Sequence, residues 1–509
     1  MKKFSLLFIG VLSMSSVFAQ DITDAIRYSS DEVQGTARFR SMSGAFGALG
    51  GDMSAVSINP AGSAIFTTSH ASISLSSLNT KNDVRFFNGF NSSSESKIDL
   101  NQTGAAFVFQ NSSQDSAWKK FVLSVAYDKT SDYEDNWLAS GNNTNSIDNY
   151  FLAFTQNQAI PFGVLKLQPG ELLEEGYANI GSDPNYGYEF QQAFLGYWSG
   201  IIDPLNLDND TNNDNIDYVS NIAPGSFNQN YQYISTGYNG KFAFNVATQY
   251  NDKLYFGLNL NSHFINYERF TGFTETNSNE GSVVNNVLFE NSLYTTGNGF
   301  SFQLGTIAKL TEELRLGFTY NSPTWYTINE ELVQNINSNN ADIDIGYIAT
   351  VRNIFPDYKL QTPGKLTGSF AYVFGERGLI SFDYSLKDYG NIKFKPTSDP
   401  YFASQNNIIN NNLKVASTYR IGGEYRYKEF SFRGGYRLEE SPYENEDFYG
   451  DLNGFSLGLG YNFGNIKLDL AFDHSDRTIN NQLYSVGLTD AAIIDSKKSN
   501  VTLTLGFSL

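Results

Sequence analysis

Residues 35–62 read GTARFRSMSGAFGALGGDMSAVSINPAG, and they decide how the rest of the chain is interpreted. The segment contains too much Gly, Ala and Ser to form a strand, and its glycines interrupt any single long helix. It follows an apolar leader and precedes a series of alternating segments that are typical of strands. A compact segment in this position must pack against what the strands build, so we interpret it as a plug.

Residues 1–19 have the pattern of a secretory signal peptide. Lys2 and Lys3 supply the positive start, an apolar run covers residues 4–11, and Ala19 is the small residue before the expected cleavage site. The sequence therefore predicts three regions: a signal peptide over 1–19, the plug over 20–68, and a strand-rich region over 69–509.

The composition predicts a membrane protein built from strands. Aromatic residues make up 15% of the chain and charged residues only 17%, whereas an ordinary soluble domain has about 25% charged residues. After the leader, no segment approaches the roughly 20 apolar residues of a membrane helix. Closed barrels are the other structure that satisfies every backbone group in lipid. We therefore predict an all-β transmembrane barrel in a bacterial outer membrane.

Charge and residue types argue against several other functions. The chain has 34 basic and 53 acidic residues, and this excess of negative charge argues against binding of nucleic acid. It has no cysteine, which excludes disulfides and thiolate metal sites. His70, His263 and His474 are far apart, and no nucleophile-elbow motif occurs. We expect no metal site, no cofactor and no enzyme activity.

Strict alternation is clearest in the C-terminal third. Ile380, Phe382 and Tyr384 alternate with Ser381 and Asp383, which places one face in lipid and the other in water. The same pattern recurs over residues 415–427, 455–463 and 501–509.

Link lengths predict the orientation and the number of strands. Short links mark the periplasmic side of such barrels, and long links mark the outside. The short links lie at 375–378, 428–429 and 464–465, and the long ones at 390–412, 439–453 and 474–498. Further hairpins at about 298–321, 241–267 and 103–128, with a single strand near 71–78, give fourteen antiparallel strands. Two large extracellular loops are predicted at 130–239 and 321–365. In the first, a helix near residues 191–202 could pack the loop's own core or contact a ligand.

The plug resembles the N-terminal hatch of the FadL/TodX family of outer-membrane transporters, and we use the name hatch below. The family pattern runs from a Gly-Ala-Arg stretch through a Gly-Gly-Ala-Phe-like segment and an acidic position to Asn-Pro-Ala. Fourteen strands is also the family's number. In this chain the matching residues are Arg38, Gly44, Ala45, Phe46, Asp52, Asn59, Pro60 and Ala61.

The resemblance implies passive uptake of hydrophobic molecules, such as long-chain fatty acids, across the outer membrane. The ligand would enter an apolar pocket, and a hatch rearrangement would release it sideways beside a kinked third strand. Here that strand, about 121–128, has no Gly or Pro to mark a bulge. Two other functions stay open: a related barrel for protein secretion or surface assembly, with a protein partner at the 130–239 loop, and a general porin, for which the plug is an obstacle.

Two sets of hatch residues are candidates for the site. By the resemblance, Asn59, Pro60 and Ala61 fix the end of the hatch where it enters the first strand. Pro60 restrains its own backbone and pushes Asn59 towards an extended conformation. Met42 and Phe46 could line the ligand path, or they could pack the hatch against the wall.

Register predicts a basic pair in the lumen. If the turn at 428–429 pairs Tyr427 with Phe430, then Glu424 faces Arg433, and the two neutralise each other. Arg420 then faces Arg437, and this pair is left unmatched unless Asp383 or Asp469 reaches it. Two unmatched arginines could bind a ligand carboxylate.

Overall fold

Fourteen antiparallel strands close into a barrel in the computed structural model, which describes residues 21–113, 115–205 and 213–508. The barrel is closed because β1 pairs with both β2 and the last strand, β14. The predicted strand number is therefore confirmed, while the predicted signal peptide lies outside the described residues. The barrel strands are β1 His70–Phe86, β2 Gly89–Gln110, β3 Trp118–Asp132, β4 Phe227–Tyr250, β5 Leu254–Thr276, β6 Asn286–Lys309, β7 Leu314–Asn321, β8 Lys365–Val373, β9 Gly378–Asp388, β10 Val415–Tyr427, β11 Phe430–Glu439, β12 Leu452–Asn462, β13 Ile466–Gln482 and β14 Ala491–Ser508.

Successive side chains along each strand point alternately to the outer and the inner face of the barrel wall. Phe382, Leu457 and Leu505 are exposed on the outer face. Their neighbours Asp383 and Thr504 are buried on the inner face, against the hatch. Apolar side chains outside and polar side chains inside are what a barrel in a bilayer requires. None of the helices in the described part of the chain is long and apolar enough to cross a membrane.

The strands extend further outward than the sequence pattern indicates. β1 and β2 continue to a tight hairpin at Phe87 and Asn88, and β13 and β14 occupy most of the predicted link 474–498. Further short strands extend the barrel sheet or lie in the links outside the barrel. These strands are Asp135–Asn143, Ile202–Pro204, Tyr218–Ser220, Trp325–Ser338, Asn353–Ile354, Tyr358–Gln361 and Lys393–Lys395.

The described residues of 133–226 fold over the outer mouth of the barrel, and we call them the cap. Phe151, Phe194 and Leu195 from its helices pack in one cluster with Phe289 and Ile494 from the outer ends of β6 and β14. The helix predicted near 191–202 is present at Gly187–Trp198 (α7), and it packs in the core of the cap. The helices outside the hatch are α4 Asp148–Gln158, α5 Phe162–Leu165, α6 Leu173–Ser182, α7 Gly187–Trp198 and, in a later link, α8 Pro400–Asn412, with 3₁₀ turns at Ile345–Thr350 and Tyr389–Asn391.

The hatch lies inside the barrel and consists of short helices joined by tight turns. It contains α1 Ile22–Ser29, α2 Ala37–Arg40, α3 Ala55–Ile58 and the 3₁₀ helix Pro60–Ile65. α1 lies highest: Ile26 and Tyr28 pack with Tyr267 and Tyr358 among the outer ends of the strands and links. The segment after α1 descends through the lumen, and the chain enters β1 after the 3₁₀ helix.

Candidate functional site

Asn59 joins the hatch to itself and to the barrel wall. Its side-chain amide donates hydrogen bonds to the carbonyls of Gly47 at 2.7 Å and Thr306 at 3.0 Å. Its Oδ1 accepts the backbone N–H of Ala61 at 3.1 Å and so caps the 3₁₀ helix, in which Pro60 is the first residue. This arrangement explains why an Asn-Pro-Ala sequence suits the end of the hatch: the amide supplies two donors and one acceptor, and Pro60 needs no partner for a missing N–H.

Glycines of the wall let the hatch lie directly on the barrel backbone. A Cβ at Gly257 of β5 would lie 2.2 Å from the carbonyl carbon of Pro60, and one at Gly305 of β6 would lie 2.1 Å from Asn59 Oδ1. The same holds at Gly317, where a Cβ would meet the Gly47 carbonyl oxygen at 2.3 Å. Glycines at lumen-facing positions of the alternating pattern are the sequence signal for this contact, and they add the wall residues that the hatch motif alone did not predict. Gly422, Gly435 and Gly458 contact the hatch in the same way.

Hydrogen bonds hold the hatch to further strands of the wall. Asp383 of β9 accepts the backbone N–H groups of Phe46 and Gly47, each at 3.0 Å. The hydroxyl groups of Ser43 and Ser456 lie 2.8 Å apart. The sequence predicted for Asp383 only that it could reach the basic pair Arg420 and Arg437. It acts instead as an acceptor for a hatch turn.

Ion pairs also cross between the hatch and the wall. Arg40 is fully buried and makes a two-pronged contact with Asp473 of β13, at 2.7 and 2.9 Å. Arg38 contacts Glu424 of β10 at 2.9 Å, and Glu424 also accepts Arg433 at 2.6 Å. The predicted neutralisation of Glu424 by Arg433 is therefore confirmed. Paired charges of this kind avoid the cost of leaving a charged group buried alone.

Met42 and Phe46 are both fully buried. They pack with Phe39 of the hatch and with Ala371 and Leu379 of the wall. Neither side chain borders the cavity described below. Their place on a ligand path therefore stays a prediction that requires the hatch to move.

Arg420 and Arg437 face each other across β10 and β11, in the predicted register. The prediction that they are unmatched is wrong. Glu439, at the outer end of β11, lies 3.7 Å from Arg420 and 3.6 Å from Arg437. Register predicted which residues face each other, but not that a carboxylate two positions along the strand would reach back to both.

A cavity of about 120 Å³ lies inside the barrel, between residues 28–34 of the hatch, the lower hatch residues Ser54 and Ser57, and the wall. The resemblance implies an apolar pocket, but most of the residues that border this cavity are polar, because the inward face of the strands carries the hydrophilic residues. The cavity is bordered by cationic groups and by fewer carboxylates. The cationic residues are Lys129, Lys241, Lys365, Lys387 and Arg420, and the acidic ones are Asp31, Glu32 and Asp128.

The third strand departs from regular pairing beside this cavity. Its ladder with β2 ends at Gln102 and Asp128, and its register with β4 shifts between Lys129 and Ser131. Among the described residues, the outer part of β2 continues to pair only with β1. The irregularity lies just beyond the segment 121–128, so the lack of Gly or Pro there did not exclude it.

Comparisons with known proteins are consistent with this architecture. A protein-family model described as outer membrane protein transport protein (OMPP1/FadL/TodX) matches residues 211–505, a range that begins after the hatch. A search of curated proteins found no match.

Solved structures resemble the chain over nearly its whole length. The crystal structure of a Pseudomonas aeruginosa FadL homologue is 12% identical, covers 94% of this chain and 100% of its own, and has a TM-score of 0.55. The Pseudomonas putida toluene transporter TodX is 13% identical, with 94% and 99% of the two chains covered and a TM-score of 0.48. The first of these similarities shows the fold.

Proposed function

This chain belongs to the FadL/TodX family of outer-membrane transport proteins, and we propose that it carries long-chain fatty acids, or hydrophobic molecules like them, inward by a rearrangement of the hatch. The family and the closed barrel place it in the bacterial outer membrane. The observation that carries the proposal is the hatch itself, which fills the lumen of a closed barrel and is docked on the wall through Asn59.

The contacts of the hatch suit a part that can move. Many of them are hydrogen bonds and ion pairs with the polar inner face, such as those of Ser43, Phe46 and Asn59. Each neutral hydrogen bond contributes only about 0.5–1.5 kcal/mol net, because water can take its place. If the inner face of the wall were apolar, water could not replace its contacts with the hatch in this way.

The route that we propose runs from the cap to the cavity and then to the bilayer. Arg420 borders the cavity, so it is available to a ligand carboxylate once Glu439 releases it. The place where β3 leaves the β2 ladder, at Gln102 and Asp128, is the proposed exit because the wall there lacks a regular backbone ladder. A protein partner at the cap stays a separate prediction.

Uptake of labelled oleate tests the function. Cells that lack their own fatty-acid porin would express the wild type, a variant deleted for Asn59 to Ala61, or a control variant deleted for residues 445–447 in an exposed outer link. Surface expression of the three forms must be equal. We expect uptake by the wild type and the control, and none above background by the hatch deletion. Absence of uptake by all three would count against fatty acids as substrate.

A further inference from the structure

A carboxylate of the hatch lies between two lysines of the barrel wall. Asp31 Oδ2 is 2.9 Å from Lys365 Nζ and 3.3 Å from Lys387 Nζ. The two lysines face each other directly across β8 and β9. Like charges in opposite positions repel each other, so the pair needs an anion, and Asp31 supplies it.

The pair of lysines is enclosed, but the cavity gives access to Asp31. The side chains of Lys365 and Lys387 are 18% and 12% exposed, whereas that of Asp31 is 47% exposed. All three border the cavity. Burial alone would raise the pKa of Asp31, but the charges of Lys365 and Lys387 outweigh it and hold that pKa well below its usual range. Asp31 is therefore ionised at neutral pH.

One of these two lysines, Lys387, also holds the end of α1. Lys387 Nζ donates to the carbonyl of Ser29, the last residue of that helix. Glu32, which follows Asp31 in the chain, is an ion-pair partner of Lys498 on β14 and accepts the backbone N–H of Asp132 at 3.1 Å. Residues 29–32, which we call the strap, are thus tied to the wall on both sides of the lumen.

We propose that Lys365 and Lys387 form an anion site that Asp31 occupies in the closed state, and that a ligand carboxylate displaces Asp31 and thereby frees the strap. The proposal rests on the proposed function, since it assumes that ligand reaches the cavity beside the upper part of the hatch. It identifies the ligand class as an anionic amphiphile, and it makes the hatch's own carboxylate the competitor.

The exchange of one carboxylate for another explains how the site selects an anionic ligand over an uncharged one. It avoids the large free-energy barrier of leaving the lysines without an anion. The two lysines keep one carboxylate between them throughout, and the displaced Asp31, whose side chain is already 47% exposed, is solvated in the cavity, so the exchange leaves no additional buried charge unpaired. An uncharged ligand with the same chain cannot replace Asp31 in this way. The other carboxylates of the cavity are already engaged: Glu32 with Lys498, and Asp128 with the hydroxyl of Ser57. Asp31 is the acidic residue that links the site to the strap.

A single cysteine in the hatch reports its release. The chain has no cysteine, and Ser43 is 3% exposed, so the thiol of Ser43→Cys should react slowly with a maleimide in the purified full-length protein. We expect oleate to speed this reaction, and oleyl alcohol, which has the same chain without the carboxylate, to leave it unchanged. The acceleration should be roughly tenfold or more, the factor that matches one charge-assisted hydrogen bond.

Two variants in the same background complete the test. Asp31→Asn should raise the rate without oleate and abolish most of the further response, and Lys365→Gln with Lys387→Gln should abolish the difference between oleate and the alcohol. The matched control Asp495→Asn, which removes an ion pair with Arg85, should behave as the parent. Equal acceleration by both amphiphiles, or an unchanged response in Asp31→Asn, would overturn the inference while leaving transport intact. No effect of either amphiphile on the thiol would also overturn it, and cellular oleate uptake then decides separately whether the proposed function stands.

Discussion

Asn59 joins the end of the hatch both to Gly47 of the hatch and to Thr306 of the wall. We expect Asn59→Ala to loosen the hatch because two carbonyls and the N–H of Ala61 lose their partner, and each unsatisfied buried group costs about 1–3 kcal/mol. The barrel itself should still fold. Ion conductance in planar bilayers should therefore rise above that of the wild type. Asn111→Ala, an equal truncation in an exposed periplasmic turn, is the control, and equal conductance of both variants would contradict the assignment.

At this scale, the sequence predicted positions better than partners. The Asn-Pro-Ala match located Asn59, and a two-residue turn fixed the register that sets Arg420 opposite Arg437. The salt bridges of this pair with Glu439 were not predictable, because the reach of a long side chain along a strand depends on its rotamer and not on register. The contact of Asp31 with Lys365 was not predictable either, because no sequence pattern relates a hatch residue to a strand so distant in the chain.

At the scale of elements, the wall glycines form the seat of the hatch. We expect Gly257→Ala to displace the 3₁₀ helix Pro60–Ile65, because a Cβ 2.2 Å from the Pro60 backbone cannot be accommodated. The expected result is a folded, heat-modifiable barrel with increased conductance. Gly368→Ala on β8, where nothing lies within 4 Å of the added carbon, is the matched control. A tight channel in both variants would show that the hatch does not need this seat.

The cap is a second element that can be tested alone. Phe194 of α7 is fully buried in the cap cluster, and its replacement by Ala should cost about 3–5 kcal/mol. We expect limited proteolysis to cut Phe194→Ala within 133–226 while the barrel stays intact. Phe90→Ala, which truncates a side chain that is 62% exposed, should leave the digestion pattern unchanged. Equal resistance of both variants would contradict a packed cap.

Strand existence was predictable from alternation, but strand length was not. Residues 79–97 are rich in Ser and Asn and lie between the predicted strand 71–78 and the predicted hairpin 103–128, yet they form the outer parts of β1 and β2. Outside the bilayer both faces of a strand meet polar surroundings, so the alternating pattern disappears while the backbone ladder with β14 continues. The folded cap was equally hidden, because its core combines loop helices with strand ends that are far apart in sequence.

At the scale of the whole molecule, the hatch fills the lumen of a closed barrel. We propose that transport requires the hatch to move relative to the wall. Ser43 and Ser456 offer a direct way to prevent that movement, because their hydroxyl groups are 2.8 Å apart and the chain has no cysteine to compete. Paired cysteines at such neighbouring positions suit the short Cβ separation of a disulfide.

Uptake of labelled oleate by cells that express the double variant Ser43→Cys with Ser456→Cys measures whether the hatch must move for transport. Each single cysteine variant serves as a control for the loss of the hydroxyl group. We expect uptake to be blocked under oxidising conditions and restored by a reductant in the double variant, and to be unaffected by either condition in the single ones. Full uptake by the oxidised double variant, with the disulfide verified, would contradict the account.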